Sequence, residues 1–162
     1  MGTPLGGVSA GQITATVKNN DTILLERGWI VALDTSASPT YIGAEQFVTP
    51  VTRADDSALK FFGVLNSNVG VGEVATVTIV GHVLCQTDDS VTHGDAIRPK
   101  AGTNTECLFE VWSTSGTKYG IALETDHTGK TTEDFALGAG GTTRYWAHCV
   151  VNFLADGGFG DT

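Results

Sequence analysis

The chain has 162 residues and a formal net charge of −9, from 18 acidic and 9 basic side chains. This length is that of one domain. The negative charge, with no local cluster of Lys or Arg, argues against nucleic acid and anionic membranes as partners. No apolar run approaches the roughly 18 residues that a membrane-spanning helix needs. The three cysteines include no CxxC pair, and their odd number favours reduced, buried thiols in a protein made in a cytoplasm.

The composition favours strands over helices. Hydrophobic residues make up 41% of the chain and charged residues only 17%, and there are 21 glycines. Thr and Val are abundant; β-branched side chains fit a pleated sheet, and glycine allows tight turns. No helical period is sustained. The sequence therefore predicts an all-β chain, folded as a single compact β-sandwich, β-tulip-like or barrel domain with at most one short helix, within residues 53–60.

Alternation of apolar residues locates the strands in chain order. The clearest is 73–85, where Val77 and Ile79 face one side and Thr78 the other. Gly81 interrupts this strand and predicts a bulge or bend. The predicted strands are 13–17, 22–25, 28–34, 46–51, 61–65, 73–85, 96–99, 105–112, 118–125, 131–137 and 142–154.

The two ends of the chain differ from the region between them. Residues 1–12 are rich in glycine and show no period, which predicts an extended N-terminal arm. Residues 13–154 form the predicted β-rich domain, and 155–162 a flexible C-terminal tail.

The last predicted strand, 142–154, is apolar on both faces. Such a strand is either central in a sandwich or lies at a subunit interface. We predict a homo-oligomer whose shared interface includes Trp146, Val150 and Phe153.

Two short motifs resemble catalytic or nucleotide-binding signatures but lack the context that the chemistry requires. Residues 7–11 match GxSxG, yet no predicted strand precedes them and no helix follows. Gly129-Lys130-Thr131 resembles the end of a phosphate-binding loop, but the glycine required five residues earlier is Glu124. We therefore predict no catalytic residue, no cofactor and no enzymatic activity.

Histidine and cysteine occur close together twice. His82 lies three residues before Cys85, and His148 directly precedes Cys149. On strands both spacings direct the pair to opposite faces, so neither forms a local metal site. We predict buried structural thiols, surface imidazoles and no metal ligand. Longer-range sites stay open with two further histidines, His93 and His127.

Five motifs follow one another along the chain: FFGVL at 61–65, GEVATV at 72–77, GHVL at 81–84, GDAI at 94–97 and GIALE at 120–124. In this order they resemble the capsid decoration (cement) proteins of tailed bacteriophages. The upstream ERGWIVALD at 26–34 is similar to an early strand of that family. The resemblance covers roughly residues 13–137.

This resemblance implies a small β-rich homotrimer on the outer surface of the capsid, where it binds the major capsid protein of a phage head and bridges neighbouring subunits. It also implies that the N-terminal arm docks on the shell. A Gly-rich arm can add a strand to an exposed sheet edge, because main-chain hydrogen bonds need few side chains. The predicted capsid-binding residues of the arm are Thr3, Pro4, Leu5 and Val8.

Two other functions remain open. One is a carbohydrate-binding or receptor-binding module of a phage fibre, in which Trp29, Trp112 and Trp146 would stack on sugars. We favour core or interface roles for these tryptophans, because each lies in an apolar strand. The other is a small all-β hydrolase such as a trimeric nucleotide pyrophosphatase. Against it, the sequence has no Asp-containing Gly-rich nucleotide motif and no basic phosphate-binding cluster.

Overall fold

The computed structural model describes residues 12–42, 46–54, 60–101, 107–113, 116–128 and 144–154. These residues form eleven strands and no helix, which confirms the predicted all-β class. The short helix considered for 53–60 lies mostly outside the described residues. The strands are β1 (Ile13–Asn19), β2 (Ile30–Leu33), β3 (Thr40–Ile42), β4 (Gln46–Arg53), β5 (Phe61–Leu65), β6 (Val74–Thr87), β7 (Ala96–Pro99), β8 (Phe109–Val111), β9 (Gly120–Ala122), β10 (His127–Thr128) and β11 (Tyr145–Asn152).

Five strands close into a barrel in the order β1-β4-β2-β5-β6, with β6 pairing back onto β1. β1 runs parallel to β4 and antiparallel to β6, so this ring is closed on both sides of β1. Alternate side chains of these strands point inward, as the period of a strand requires. The barrel core consists of Val17, Leu25, Val31, Val51, Leu65, Val69, Val77 and Ile79.

Four further strands extend from the C-terminal half of β6 as a second sheet, in the order β11, β9, β7 and β8. β8 returns to the end of β6 through the pair Thr87 and Phe109. This second sheet packs against the outer side of β2 and β5. The second core consists of Ile30, Ala32, Ala54, Val64, Val83, Cys85, Val91, Ile97, Phe109, Ala122, Ala147, Cys149 and Val151.

β2 is buried on both faces because it serves both cores. Val31 points into the barrel, and Ile30 and Ala32 point into the second core. The continuous apolar run of this strand is the pattern expected of a strand that is covered on two sides.

β6 serves both cores along its length. Val77 and Ile79 contribute to the barrel, and Val83 to the second core. The register with β1 shifts between Ile13 and Thr14, opposite Val80 and Thr78, and Gly81 has φ 132°. The shift makes Ile79 the extra residue of β6, two positions before the predicted irregularity, and Gly81 itself is unusual in its positive φ. Both lie where the strand passes from one core to the other.

Several predicted strands differ from the structure. Residues 22–25 do not form a strand, and only Leu25 makes an isolated bridge, to Val69. β3 and β10 are short strands that the pattern did not predict. The segment 131–137 lies outside the described residues, as do 1–11 and 155–162, so the division into arm, domain and tail stays a prediction.

The predicted state of the cysteines is confirmed: Cys85, Cys107 and Cys149 are unpaired and buried. Burial raises the pKa of the Cys85 thiol well above its usual value, and the neighbouring Cys149 thiol adds to this effect. In the described part of the chain, no helix is long and apolar enough to cross a membrane.

Candidate functional site

The outer side of the second sheet carries a partly exposed apolar surface. Cys149 and Val151 of β11 point into the second core, so the residues between and beside them point outward. The backbone register places Val150 between His82 of β6 and Ile121 of β9. Ile121 is 39% exposed and the adjacent Leu123 is 44% exposed. We call His82, Ile121, Leu123, His148 and Val150 the outer-sheet face.

The three residues predicted for an oligomer interface lie in different surroundings. Val150 belongs to the outer-sheet face. Trp146 is fully buried by its own chain, close to Gly28, although its strand position points to the same side. Phe153 stacks on Tyr119, with ring centroids 5.2 Å apart, and packs against the second core. An interface stays a prediction, and of the three side chains Val150 is the one placed to contact a partner.

The two histidines of the outer-sheet face contact each other. Nε2 of His82 lies 2.9 Å from Nδ1 of His148, and the ring centroids are 4.9 Å apart. The backbone N–H of His148 donates to Oε2 of Glu124 at 2.8 Å. The pair could not be read from sequence spacing, because 66 residues separate its members and the register of β6 and β11 brings them together.

The described chain begins next to this surface. The side-chain amide of Gln12 donates to the carbonyl oxygen of His82 at 3.1 Å. The predicted capsid-binding residues precede this point and lie outside the described residues: Thr3, Pro4, Leu5 and Val8. Whatever the arm contacts, its attachment to the domain is at the edge of the outer-sheet face.

A buried polar network lies further along the same side of β6 as His82, around Gln86. Glu26 is only 4% exposed and accepts two hydrogen bonds from Arg144, Nε to Oε1 at 2.8 Å and Nη2 to Oε2 at 2.6 Å. Gln86 also donates to Oε1 of Glu26, at 3.0 Å. The hydrogen bonds to Glu26 raise the pKa of Arg144. These hydrogen bonds offset the free-energy cost of burying the Glu26 carboxylate.

A cleft of about 420 Å³ opens beside this network and is lined by Trp29, Tyr145, Lys100 and Arg144, among others. Two of its cations have structural partners: Arg144 pairs with Glu26, and Lys100 donates to Asp88 at 2.8 Å. The hydrogen bond to Asp88 raises the pKa of Lys100.

The three tryptophans differ in their access to a ligand. Trp146 is fully buried. Trp112 donates to the carbonyl of Gly116 at 2.9 Å, and Nζ of Lys118 lies over its ring, 4.4 Å from the centroid. Trp29 donates to Gln86 at 3.1 Å and lines the cleft. Of the three, Trp29 is the one that lines the cleft beside the Glu26 network.

The β3–β4 hairpin carries the most exposed aromatic pair among the described residues. Tyr41 is 66% exposed and Phe47 is 50% exposed. They lie opposite each other in the register, with ring centroids 5.6 Å apart in an edge-to-face arrangement. β3 pairs with β4 alone within the described ranges. Exposed paired aromatics of this kind are typical of contact surfaces.

The motifs behind the resemblance occupy positions that shape the backbone. Gly94 has φ 90°, and the carboxylate of Asp95 accepts from the N–H of Thr92 at 2.8 Å. Gly72 has φ 80°. A Cβ at Gly120 would lie 2.5 Å from the carbonyl oxygen of Val150. The motifs are therefore turn and strand determinants, and no chemistry is needed to explain them.

In the described ranges, no group of three or more His, Cys, Asp or Glu side chains is arranged to hold a metal ion. Pairs of possible ligands are in contact there, among them His82 with His148 at 2.9 Å and His127 with Glu124 at 3.4 Å.

No family model matches the chain. No curated protein matches it either. Among solved structures, the chain is similar to "The crystal structure of head fiber gp8.5 N base in bacteriophage phi29", with 12% sequence identity and a TM-score of 0.49. The alignment covers 88% of this chain and 95% of that one. A similarity at this level adds nothing to the assignment of function.

Proposed function

We propose that this chain is a structural decoration protein that binds the outside of a phage head and bridges capsid subunits, without turning over a substrate. The observation that carries the proposal is the outer-sheet face, which combines exposed Ile121 and Leu123 with the point where the N-terminal segment joins the domain. Contiguous exposed apolar side chains on a chain with a net charge of −9 are typical of a protein contact. The partner in this proposal is the major capsid protein, because the motifs in residues 61–124 resemble those of capsid decoration proteins in the same order.

The mechanism of stabilisation in this proposal is mass action. A protein that binds only the assembled shell lowers the free energy of the assembled state, and many copies on one lattice reinforce each other. The outer-sheet face would form the subunit contact of a homotrimer, and the arm would supply main-chain hydrogen bonds to the shell.

The test uses expanded capsids assembled from the major capsid protein encoded in the same genome. We expect the full chain to co-sediment with capsids to a fixed stoichiometry and to delay their heat disruption. Ile121→Asp should bind capsids at least tenfold more weakly. A carboxylate in the subunit contact would lose its hydration, and separated subunits would lose the avidity of the trimer. The matched control is Val71→Asp, since Val71 is 58% exposed in the turn before β6 and lies outside the outer-sheet face.

A second experiment concerns the arm. Deleting residues 2–11 should leave the domain folded, because this segment is rich in glycine and its sequence shows no apolar period of the kind that a core strand needs. Capsid binding should weaken sharply. Unchanged saturation of capsids by the truncated chain would show that the arm is not the contact with the shell.

The cleft favours one alternative, a carbohydrate-binding module. Trp29 and Tyr145 supply aromatic surface there. Binding in a glycan array that is lost in Tyr145→Ala, together with no binding to capsids, would favour this alternative over decoration.

A further inference from the structure

We propose that His82 and His148 form a two-imidazole site for a divalent transition-metal ion such as Ni²⁺ or Cu²⁺. Both histidines belong to the outer-sheet face, but the inference does not rest on the decoration function. The observation that carries it is the approach of Nε2 of His82 and Nδ1 of His148 to 2.9 Å on neighbouring strands.

The two strands hold the imidazoles in place. β6 and β11 pair antiparallel over an uninterrupted register from Val80 with Asn152 to Thr87 with Tyr145. In this register His82 lies opposite Val150, and His148 lies opposite Leu84, so the histidines are diagonal neighbours on one face. Only side-chain rotation separates the observed arrangement from a chelating one.

The coordination angle at a metal ion sets the distance between the two nitrogen atoms that bind it. Metal–nitrogen bonds to histidine are about 2.0–2.1 Å long. Two such bonds at a right angle place the nitrogens about 2.9 Å apart, and a tetrahedral angle places them about 3.3 Å apart. The observed 2.9 Å is the length of the hydrogen bond between the rings, and the side-chain rotation that breaks this bond brings either separation within reach.

The protonation of the pair is also compatible with chelation. Two imidazole nitrogens at this distance share one hydrogen bond, so at least one faces the other with its lone pair. If each neutral ring carries its proton on its other nitrogen, both lone pairs face the shared position. Metal binding then needs a change of tautomer and no net loss of a proton from neutral rings.

The surroundings leave the remaining coordination positions open. The pair lies in a groove of about 230 Å³ that Arg27 and Asn66 also line. The cation of Arg27 opposes metal binding, whereas Glu124, hydrogen-bonded to the backbone of His148, favours it. Since no third ligand comes from the described part of the chain, water would complete the coordination sphere and binding would be modest.

The test is titration calorimetry with NiCl₂ alone on the untagged full chain at pH 7.5. We expect one ion per chain. His82→Gln and His148→Gln should each weaken binding at least tenfold, and the double variant should be little worse than either, because either change destroys the chelate. His93→Gln is the matched control, since His93 is an exposed histidine of the turn before β7.

A further readout separates this site from non-specific binding. Ni²⁺ should raise the urea midpoint of the wild-type chain and of His93→Gln, but not of His82→Gln, since a ligand of the folded state stabilises it. Equal affinity in His82→Gln and the wild type, or no binding at millimolar Ni²⁺, would overturn the proposal.

Discussion

At the scale of single residues, the buried Cys85 thiol makes stability depend on pH. Its pKa in the folded chain is raised by burial, whereas an unfolded thiol has a pKa of about 8.5. Above that pH the folded state binds more protons than the unfolded state, so the unfolding free energy falls with rising pH, by up to about 1.4 kcal/mol per pH unit. Below that pH, the buried Cys85 thiol makes its full contribution to the unfolding free energy.

The measurement compares the wild type with Cys85→Ala by urea unfolding in reducing buffer at pH 7.5 and 9.5. Cys85→Ala should be less stable at pH 7.5, because it leaves a small cavity, and the difference should narrow at pH 9.5. The thiols should also label slowly until denaturant is added. A constant difference between the two pH values would contradict the prediction.

Gly120 is a residue whose replacement should be costly for a purely steric reason. A Cβ there would lie 2.5 Å from the backbone oxygen of Val150, which is fixed by the pairing of β9 with β11. Gly120→Ala should therefore lower the unfolding free energy by roughly 2–3 kcal/mol, the cost of overpacking. Urea unfolding measures this.

The matched control is Gly72→Ala. A Cβ at Gly72 meets nothing within 4 Å, but the residue has φ 80°, so only conformational strain of about 1 kcal/mol is expected. Equal losses for the two variants would mean that close approach at Gly120 is relieved by a backbone shift.

Individual residue environments were only partly predictable from the sequence. Strand alternation alone predicts that the His82 side chain points outward and that Cys85 is buried. The burial of Trp146 does not, because the loop containing Gly28 covers it, and nothing local in the sequence places that loop there. The contact of His82 with His148 depends on the register of two distant strands for the same reason.

At the scale of elements, the β3–β4 hairpin is expected to act in binding rather than in folding. Tyr41 and Phe47 contact each other and are largely exposed. Replacing both by Ser should change the unfolding free energy by no more than about 1 kcal/mol, the value of an exposed aromatic pair. Binding to capsids, measured by co-sedimentation, should weaken if the hairpin contributes to docking.

A large loss of stability in this double variant would show that the hairpin is instead part of the fold. The single variants Tyr41→Ser and Phe47→Ser then distinguish the partners: equal effects indicate that the ring pair acts as a unit.

Strands with strong local patterns were predicted well. β5 and β7 have the predicted bounds, and β6 extends the predicted strand by two residues at its C-terminal end. β3 was missed because three residues after Pro39 show no periodicity of their own, and pairing with β4 creates the strand. The expected strand at 22–25 fails because its residues follow a turn and reach a partner only at Leu25.

At the scale of the whole molecule, the topology depends on pairings that local patterns do not contain. The parallel pair β1–β4 and the closure of β1 onto β6 bring together residues far apart in the chain. Alternation predicts which face of β6 is apolar, but not that its two halves serve different cores. The class of fold was therefore predictable, and the shared use of β6 was not.

The assembly prediction is decided by which side chains face outward. We expect the chain to be a trimer at micromolar concentration and Val150→Asp to be a folded monomer, since Val150 lies on the outer-sheet face and a carboxylate in a contact loses hydration. Trp146→Asp should instead fail to fold, because Trp146 is fully buried in its own chain. Sedimentation velocity and circular dichroism distinguish the two outcomes, with Val71→Asp as a control that should remain trimeric. A wild-type monomer, or a trimer that persists in Val150→Asp, would exclude the outer-sheet face as the subunit contact.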